Sequence, residues 1–255
     1  VAPFKERKVN SDLSREPGGG KIGQFRAMAC VALGERRLAA SLWWVDTSCP
    51  ALPFFNEKTE GILDSHLFIA TSEDGGDHWS EPSRVNTAPF DHFPCPLTGP
   101  VLLLANGSWA AQFEPNRPYE TPVPHHYMPA LVFSHDQGRS WSSPVQPALD
   151  PQHHICYGDQ RPSVLKDGTV YNLFWTFDVR TAKHLNIHAS ASRDSGKTWT
   201  PVWDTGVAGQ PGPAQSLPDG RIAMVYVDRS GSPAIKLRTC SDGGRSFPSN
   251  TEMVL

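Results

Sequence analysis

The sequence lacks several features that would point to particular classes of protein. It has no run of about 18 apolar residues, so no membrane insertion is expected. The charges nearly balance, with 23 Lys and Arg against 26 Asp and Glu, and a nucleic acid partner is therefore not expected. No secretory signal is visible, and the composition leaves the compartment open.

Cysteines and metal-ligand patterns are also scarce. The five cysteines include no CxxC pair, and an odd number cannot form a full disulfide framework. Two pairs of adjacent histidines, His125-His126 and His153-His154, have no partner at the spacing that zinc sites use. We therefore expect free buried thiols, no metal site and no cofactor.

Turn-forming residues, in contrast, are abundant. The chain has 24 Pro and 21 Gly, together with eight Trp. Few windows of helical length are free of Pro and Gly, so we expect no helix longer than about three turns. The composition favours short strands joined by tight loops.

Four segments repeat the pattern S-x-D-x-G-x-[ST]-W, at 72–79, 134–141, 192–199 and 240–247. The first has His78 in place of Ser or Thr, and the fourth has Cys240 and Phe247 at its ends. In such a turn the Asp accepts backbone hydrogen bonds, the Gly supplies a positive φ, and the Trp covers the turn. We call these segments Asp boxes and predict that their aspartates lie in outer turns with no catalytic role.

A hairpin turn precedes each Asp box, at 32–36, 104–108, 165–169 and 217–221. Each repeat thus reads strand, hairpin turn, strand, loop, strand, Asp box, strand, which is the blade of a propeller. The predicted fold is all-β, a β-propeller of four-stranded antiparallel blades, with residues 1–255 as a single domain. Four blades are visible, at 21–90, 91–155, 156–208 and 209–255, with inserted loops at 56–61 and 114–127 and one additional strand proposed at 6–9. A fragment, an incomplete ring and an unusually small propeller are all left open.

Asp boxes that follow such hairpins resemble the sialidase (neuraminidase) superfamily of BNR-repeat proteins, and the resemblance spans nearly the whole chain. It implies a glycoside hydrolase that removes terminal sialic acid or a related acidic sugar from glycans. Sialidases typically have six blades, and they combine three arginines, a Tyr nucleophile assisted by Glu, and an acid/base Asp. Asp boxes also occur in propellers without activity. A carbohydrate-binding or scaffolding propeller, and a glycosidase for another sugar, therefore stay open.

The resemblance points to three catalytic candidates. Arg26 matches the first carboxylate-binding arginine, although the family's Ile-Pro does not follow it. Asp64 matches the acid/base position, where neighbouring apolar residues would raise its pKa, and Asp46 is the alternative. Arg161 is a candidate second arginine, in a segment where the family often has a Glu. No tyrosine lies in a motif that matches the family's nucleophile.

A second argument for the site uses only the positions of residues along the strands and does not depend on the resemblance to sialidases; we call it the positional argument. In a propeller, every first strand begins and every second strand ends on one face near the axis, so side chains at these points converge. Strand starts supply Arg26, Gln160, Arg161 and Gln210, and strand ends supply Asp46, Glu114, Asp178, Asp228 and Arg229. With Trp43, Trp44, Trp175 and Phe177 nearby, this mixture suits a sugar. We therefore predict Asp46, Glu114, Gln160, Asp178 and Gln210 as substrate-binding residues, with a glycan or small sugar as the partner; the oligomeric state is not predicted.

Overall fold

The computed structural model describes residues 14–121 and 128–255. The strand proposed at 6–9, the pair His125-His126 and the end of the insert at 114–127 lie outside these residues. Within them the chain forms β-strands and a single short helical turn, η1 (Ser249–Thr251), of 3-10 type. The all-β prediction is confirmed, and none of the described helical structure is long and apolar enough to cross a membrane.

The first blade is an antiparallel sheet in the order β1-β2-β5-β6, with a small hairpin inserted between its second and third strands. The inserted hairpin pairs β3 with β4 at the position predicted for an inserted loop. The bounds are β1 (Gly23–Ala32), β2 (Leu38–Asp46), β3 (Phe55–Asn56), β4 (Gly61–Ile62), β5 (Ser65–Ser72) and β6 (Ser83–Arg84).

The second blade has a three-stranded sheet, β7-β8-β9. In place of a fourth strand, Val145 makes an isolated bridge to Leu131, with two backbone hydrogen bonds of 2.8 and 2.9 Å. Pro144 and Pro147 flank this bridge, and neither residue has an N–H group to extend the ladder. The bounds are β7 (Leu102–Leu103), β8 (Trp109–Phe113) and β9 (Ala130–Ser134).

The third and fourth blades follow the predicted pattern with small additions. In the third, a two-residue strand, β12, pairs with the end of β11. In the fourth, the inner strand is divided into β15 and β16, with Pro213 between them. The bounds are β10 (Ile155–Val164), β11 (Val170–Asp178), β12 (Lys183–His184), β13 (Asn186–Ser192), β14 (Trp203–Ala208), β15 (Gln210–Pro211), β16 (Gln215–Ser216), β17 (Ile222–Asp228), β18 (Ala234–Cys240) and β19 (Met253–Val254).

The Asp boxes form the turns that follow the third strand of each blade, as predicted. In the second box, Asp136 Oδ1 accepts the backbone N–H of Ser140 at 2.8 Å, and Oδ2 accepts the Ser140 hydroxyl at 2.6 Å. In the first box the ring Nδ1 of His78 lies 2.6 Å from Asp74 Oδ2 and replaces the missing hydroxyl. The two hydrogen bonds from Ser140 hold the pKa of Asp136 well below its usual range.

Apolar clusters between neighbouring blades make up the core. Leu67 and Ile69 of the first blade pack with Val132 of the second, and Leu131 of the second packs with Val170 of the third. Leu173 of the third blade packs with Met224 of the fourth. Trp141 and Trp199 are partly buried against these clusters. Each blade is therefore held by its neighbours, which fixes the relative positions of their loops.

All five cysteines lie in the described residues, and none forms a disulfide. Cys95, Cys156 and Cys240 are buried as expected, but Cys30 and Cys49 are exposed. The expectation of buried thiols is therefore correct for three cysteines and wrong for two.

Candidate functional site

A cleft of about 540 Å³ opens where the second, third and fourth blades meet. Nine of its fifteen lining residues have polar or charged side chains, and Trp175 adds a large aromatic ring. The lining includes Glu114, Asn116, Asp159, Trp175, His184, Asn186, Gln210, Asp228 and Arg229. We call this the inter-blade cleft.

The positions of these residues follow from strand order. Glu114 comes directly after β8, Asp228 ends β17 and Gln210 begins β15. A strand start of the fourth blade and second-strand ends of the second and fourth blades therefore meet at one place, as the positional argument predicts, whereas Gln160, Arg161 and Asp178 of the third blade are not among the lining residues. Glu114 and Gln210, two of the predicted substrate-binding residues, line the cleft together.

Glu114 is the carboxyl group with the most unusual environment in the cleft. Its two oxygens accept the backbone N–H groups of Gln160 at 2.6 Å and of Asp159 at 3.1 Å. Burial raises the pKa of Glu114 to about 7, and the nearby Asp159 carboxylate also raises it, although the two N–H bonds act in the opposite direction. A carboxyl group with a pKa near neutrality is suited to donate or accept a proton.

Asp159 lies in an irregular part of β10, where the register shifts between Gly158 and Arg161. Its backbone is left-handed, with φ of 48°, a conformation that costs free energy for a residue with a side chain. The Asp159 carboxylate accepts a hydrogen bond from the side-chain amide of Gln210, and its side chain is 40% exposed. The bulge therefore turns a carboxylate toward the cleft, beside Glu114.

Arg161 and Gln160 join the third blade to the second. The Arg161 guanidinium donates to the backbone carbonyls of Gln160 at 2.9 Å and of Thr98 at 3.3 Å, and it lies 3.8 Å from Asp159 Oδ1. Gln160 is fully buried, and its amide donates to the carbonyls of Phe113 and Ala130. The Gln160 side chain therefore does not reach the cleft, whereas Arg161 lies beside a residue that lines it.

Ion pairs on the fourth blade hold Asp228 at the opposite side of the cleft. Lys236 Nζ lies 2.8 Å from Asp228 Oδ2 and 3.1 Å from Glu252 Oε1. The hydrogen bonds from Lys236 and from the Ser230 hydroxyl hold the pKa of Asp228 well below its usual range. Arg229, the next residue, is exposed and lines the cleft.

Asp178, whose substrate-binding role stays a prediction, stabilises a turn. Its Oδ1 accepts the backbone N–H groups of Arg180 at 2.9 Å and of Thr181 at 3.3 Å. Although burial acts to raise the pKa of Asp178, these N–H groups lower it. The side chain does not line the inter-blade cleft but shapes the turn that leads into β12.

Asp64 and Asp46 meet on the first blade, where Lys21 Nζ lies 2.6 Å from Asp64 Oδ2 and 3.6 Å from Asp46 Oδ2. Hydrogen bonds from His66, whose Nε2 is 3.5 Å away, and from Lys21 hold the pKa of Asp64 well below its usual range. The expectation of a raised pKa for Asp64 is therefore wrong, because Lys21 and His66 supply partners that outweigh the apolar neighbours. Neither aspartate lines the inter-blade cleft.

Arg26 occupies a β-bulge of β1, and its guanidinium lies over the Phe54 ring at 5.1 Å. It lines a separate groove of about 420 Å³, mostly apolar, on the first blade with Met28 and Trp79. Arg26, Asp64 and Arg161 are thus not brought together in either this groove or the inter-blade cleft. Their catalytic roles stay predictions.

Of the four aromatic residues predicted near the site, two lie at the inter-blade cleft and two do not. Trp175 lines the inter-blade cleft, and Phe177 lies beside it, as expected. Trp44, however, is fully buried and stacks on His66, while Trp43 packs edge-on against Phe54. The first blade therefore supplies none of the aromatic lining of the cleft.

A family model described as a BNR repeat-like domain matches residues 51–253. The chain belongs to the BNR repeat-like domain family. A search among curated proteins finds no match. The family match agrees with the four Asp boxes and with the four blades.

Several solved structures share this architecture. A protein of unknown function from Dyadobacter fermentans superposes with a TM-score of 0.68 at 20% identity, covering 91% of this chain and 65% of its own. A Hadza microbial sialidase superposes with a TM-score of 0.62 at 18% identity, covering 89% of this chain and 48% of the sialidase. An α-L-arabinofuranosidase from Fusarium graminearum superposes with a TM-score of 0.59 at 16% identity, covering 91% of this chain and 66% of the arabinofuranosidase. The TM-scores show a shared fold and, at these identities, the fold alone; the chain spans between about half and two thirds of the length of these proteins.

Some cleft residues were not predicted from the sequence as binding residues, among them Asn116, Asp159, His184 and Asn186. For Asp159 a signal was present, because it adjoins Gln160 at the start of an inner strand. In the described ranges, no group of three or more His, Cys, Asp or Glu side chains is arranged to hold a metal ion.

Proposed function

We propose that the inter-blade cleft is the substrate site of a glycoside hydrolase, with Glu114 as the group that donates a proton to the leaving oxygen. The observation that carries this proposal is the pair of Glu114 and Asp159 in one cleft. Glycosidases typically use two carboxyl groups, one of which stays protonated near neutral pH because its surroundings raise its pKa. The pKa of about 7 for Glu114 fits that role.

In this proposal the Glu114 proton moves to the glycosidic oxygen as the bond from that oxygen to the anomeric carbon breaks. A water molecule supplies the hydroxyl group that the anomeric carbon gains, and its other proton passes to the Glu114 carboxylate, which restores the acid. The Asp159 carboxylate, held by the Gln210 amide, faces the positive charge that develops on the sugar ring. None of the described tyrosines lines the inter-blade cleft, so the proposed chemistry depends on these carboxyl groups.

For the sugar, we propose a terminal acidic residue of the sialic acid type. Arg229 lines the cleft and is exposed, and a guanidinium suits a carboxylate because it offers two parallel hydrogen bonds. Arg161, beside Asp159, is a second cation near the cleft. The structural likeness to a sialidase supports the same class.

One observation favours a neutral sugar as the second candidate. The cleft is lined by two carboxylates, Asp159 and Asp228, and by the Glu114 carboxyl group, against the single arginine Arg229. This balance repels an anionic ligand unless Arg229 and Arg161 both contact it. The likeness to an arabinofuranosidase supports this candidate.

A panel of fluorogenic 4-methylumbelliferyl glycosides tests the proposal, with the N-acetylneuraminic acid and arabinofuranose derivatives as its main members. The full chain is expected to hydrolyse at least one of them. Replacing Arg229 by Ala should raise KM for the acidic sugar by about 30-fold or more, because one charge-assisted contact is lost. The KM for the neutral sugar should change less.

The matched control is Arg245→Ala, because Arg245 lies in an outer Asp box over the Trp203 ring and away from the cleft. This variant should hydrolyse both substrates as the wild type does. Equal effects of Arg229→Ala on both sugars would favour the neutral candidate. Binding of glycans without any turnover would replace the hydrolase proposal by a carbohydrate-binding propeller.

A further inference from the structure

Behind the inter-blade cleft, two buried amide side chains connect the second and third blades. Asn172 of β11 donates a hydrogen bond from Nδ2 to Oε1 of Gln160 at 3.1 Å. Gln160 donates from Nε2 to the backbone carbonyls of Phe113 at 2.8 Å and of Ala130 at 3.1 Å. Phe113 ends β8 and Ala130 begins β9. The two amides, which we call the buried amide pair, therefore tie the third blade to one end of the second.

The strand end that Gln160 anchors leads directly to Glu114. The Phe113 carbonyl belongs to the residue before Glu114, so the Gln160 amide holds the backbone from which the Glu114 side chain extends. The backbone N–H group of Gln160 also donates to Glu114 Oε1, at 2.6 Å. One residue thus binds Glu114 at both ends, through the backbone that precedes it and through its carboxyl group. These two contacts fix the position and the direction of the Glu114 side chain.

Gln160 also holds the bulge that carries Asp159. The left-handed backbone of Asp159 is a conformation that persists only where the surrounding structure enforces it. The next residue is Gln160, whose side chain is fixed by three hydrogen bonds in a fully buried site. The N–H group of Asp159 donates to Glu114 Oε2 at 3.1 Å. Anchoring Gln160 therefore keeps both N–H groups of the bulge on the Glu114 carboxyl.

The buried amide pair is costly for a feature that serves stability alone. Asn172 Oδ1 is buried and has no hydrogen-bond partner in the part of the chain that the structure describes. A buried polar atom without a partner costs free energy, whereas apolar residues of the same shape in place of both amides can be nearly neutral. Val170 and Phe174, on the same face of β11, are buried apolar residues. An amide between them favours a role for the pair in the neighbouring cleft.

We propose that Gln160 is a positioning residue for Glu114, because its buried amide holds the end of β8 while its N–H group and that of Asp159 stay on the Glu114 carboxyl. This inference rests on the proposed function of the cleft. Burial raises the pKa of Glu114 to about 7, and the N–H group of Gln160 acts against this rise because it binds the ionised form. Without that contact the pKa rises further, and the carboxyl group releases its proton to a leaving oxygen less readily.

The test replaces Gln160 by Met, which keeps the length of the side chain and removes its polar atoms. The pKa of Glu114 is measured by carbon NMR in protein labelled at the glutamate carboxyl carbons, and the Glu114 signal is assigned by its absence from Glu114→Gln. In Gln160→Met this pKa should rise by about 1, the effect of losing one hydrogen bond to a charged group. The kcat–pH profile should fall at a pH that is higher by the same amount, because only protonated Glu114 donates.

The matched control is Gln112→Met. Gln112 is also a buried glutamine and lies two residues before Glu114, but its amide donates to the Pro100 carbonyl at 2.8 Å. This variant should lower the urea midpoint, because it leaves a carbonyl unpaired. The pKa of Glu114 and the kcat–pH profile should both stay at their wild-type values.

A second variant, Asn172→Ala, removes the contact that orients the Gln160 amide together with the unpaired Oδ1. It should raise the pKa of Glu114 by less than Gln160→Met does, and it decides the question if Gln160→Met does not fold. An unchanged or lowered pKa in the folded variant, or an equal rise in Gln112→Met, would overturn the positioning role. If the wild type hydrolyses no glycoside, the hydrolase proposal fails, whereas the NMR titration still decides the positioning role. Wild-type turnover with no change of pKa in the variants removes the positioning role alone.

Discussion

The outer Asp boxes and the inter-blade cleft both place carboxyl groups at strand ends, but they give them opposite environments. In a box, Asp136 accepts a backbone N–H, a serine hydroxyl at 2.8 Å and another at 2.6 Å, and its pKa falls. In the cleft, Glu114 also accepts two backbone N–H groups, yet burial raises its pKa to about 7. The two kinds of carboxyl group therefore differ in two ways: Asp136 accepts more hydrogen bonds, which lower its pKa, and Glu114 is desolvated, which raises its pKa.

The difference also follows from distance along the chain. Every box carboxylate is paired within four residues, so each box is a local unit that repeats with its sequence pattern. Glu114 is bound by residues 45 and 46 positions away, on the next blade. A box can therefore form in any blade, whereas the cleft exists only where three blades have assembled.

The largest expected effect separates the two regions by activity. Replacing Glu114 by Gln keeps the size and removes the titrating proton, so turnover of the best glycoside should fall by about 10²–10⁴-fold. Replacing Asp136 by Asn should weaken a box and lower the urea midpoint, while turnover per folded molecule stays at the wild-type value. Steady-state kinetics on both variants, with folded fractions measured by circular dichroism, make the comparison. A similar loss of turnover in Glu114→Gln and Asp136→Asn would contradict the assignment of catalysis to the cleft alone.

The fold was predictable from the sequence because its determinants are local. The four boxes and four hairpin turns each lie within eight residues, and both types appear at the predicted positions. The departures come from prolines, since Pro144 and Pro147 reduce the outer strand of the second blade to a bridge at Val145.

The site was predictable only in part. The positional argument found Glu114, Gln210, Asp228 and Arg229, because propeller geometry alone brings strand ends together. It included Gln160, whose side chain turns into the core, because the sequence does not show the register shift within β10. The resemblance suggested Asp64 as an acid, but no sequence pattern reveals that Lys21, 43 residues earlier, binds its carboxylate.

A second expected effect concerns the pH dependence of stability. The pKa of Glu114 is higher in the folded protein, about 7, than its usual 4.5, so its proton stabilises the fold at low pH. This contribution is fully present below about pH 4.5 and is lost as pH rises through 7. The Asp194 carboxyl of the third box behaves oppositely: its pKa falls to about 2, so its contribution is present above pH 3.8 and lost as pH falls through 2.

Urea denaturation at pH 4.5, 6 and 7.5 measures this difference. The wild-type midpoint should fall across this range, and Glu114→Gln should flatten the fall because the group no longer titrates. Asp194→Asn should lower the midpoint but leave its pH slope between 4.5 and 7.5 unchanged. If the urea midpoint of Glu114→Gln fell with pH as steeply as that of the wild type, groups other than Glu114 would control the pH dependence of stability.

The smallest expected effect compares two boxes with each other. In the third box, Trp199 Nε1 donates to the Gly196 carbonyl at 3.0 Å, whereas Trp141 Nε1 of the second box is buried with no hydrogen-bond partner in the described part of the chain. Replacing either Trp by Phe, the residue found at position 247 in the fourth box, removes a similar apolar area. The two variants therefore differ chiefly by one hydrogen bond. Trp199→Phe should cost about 0.5–1.5 kcal/mol more in the free energy of unfolding than Trp141→Phe, as measured by urea denaturation. If Trp141→Phe proved the more costly of the two, packing of the indole rather than its N–H group would decide how these turns are stabilised.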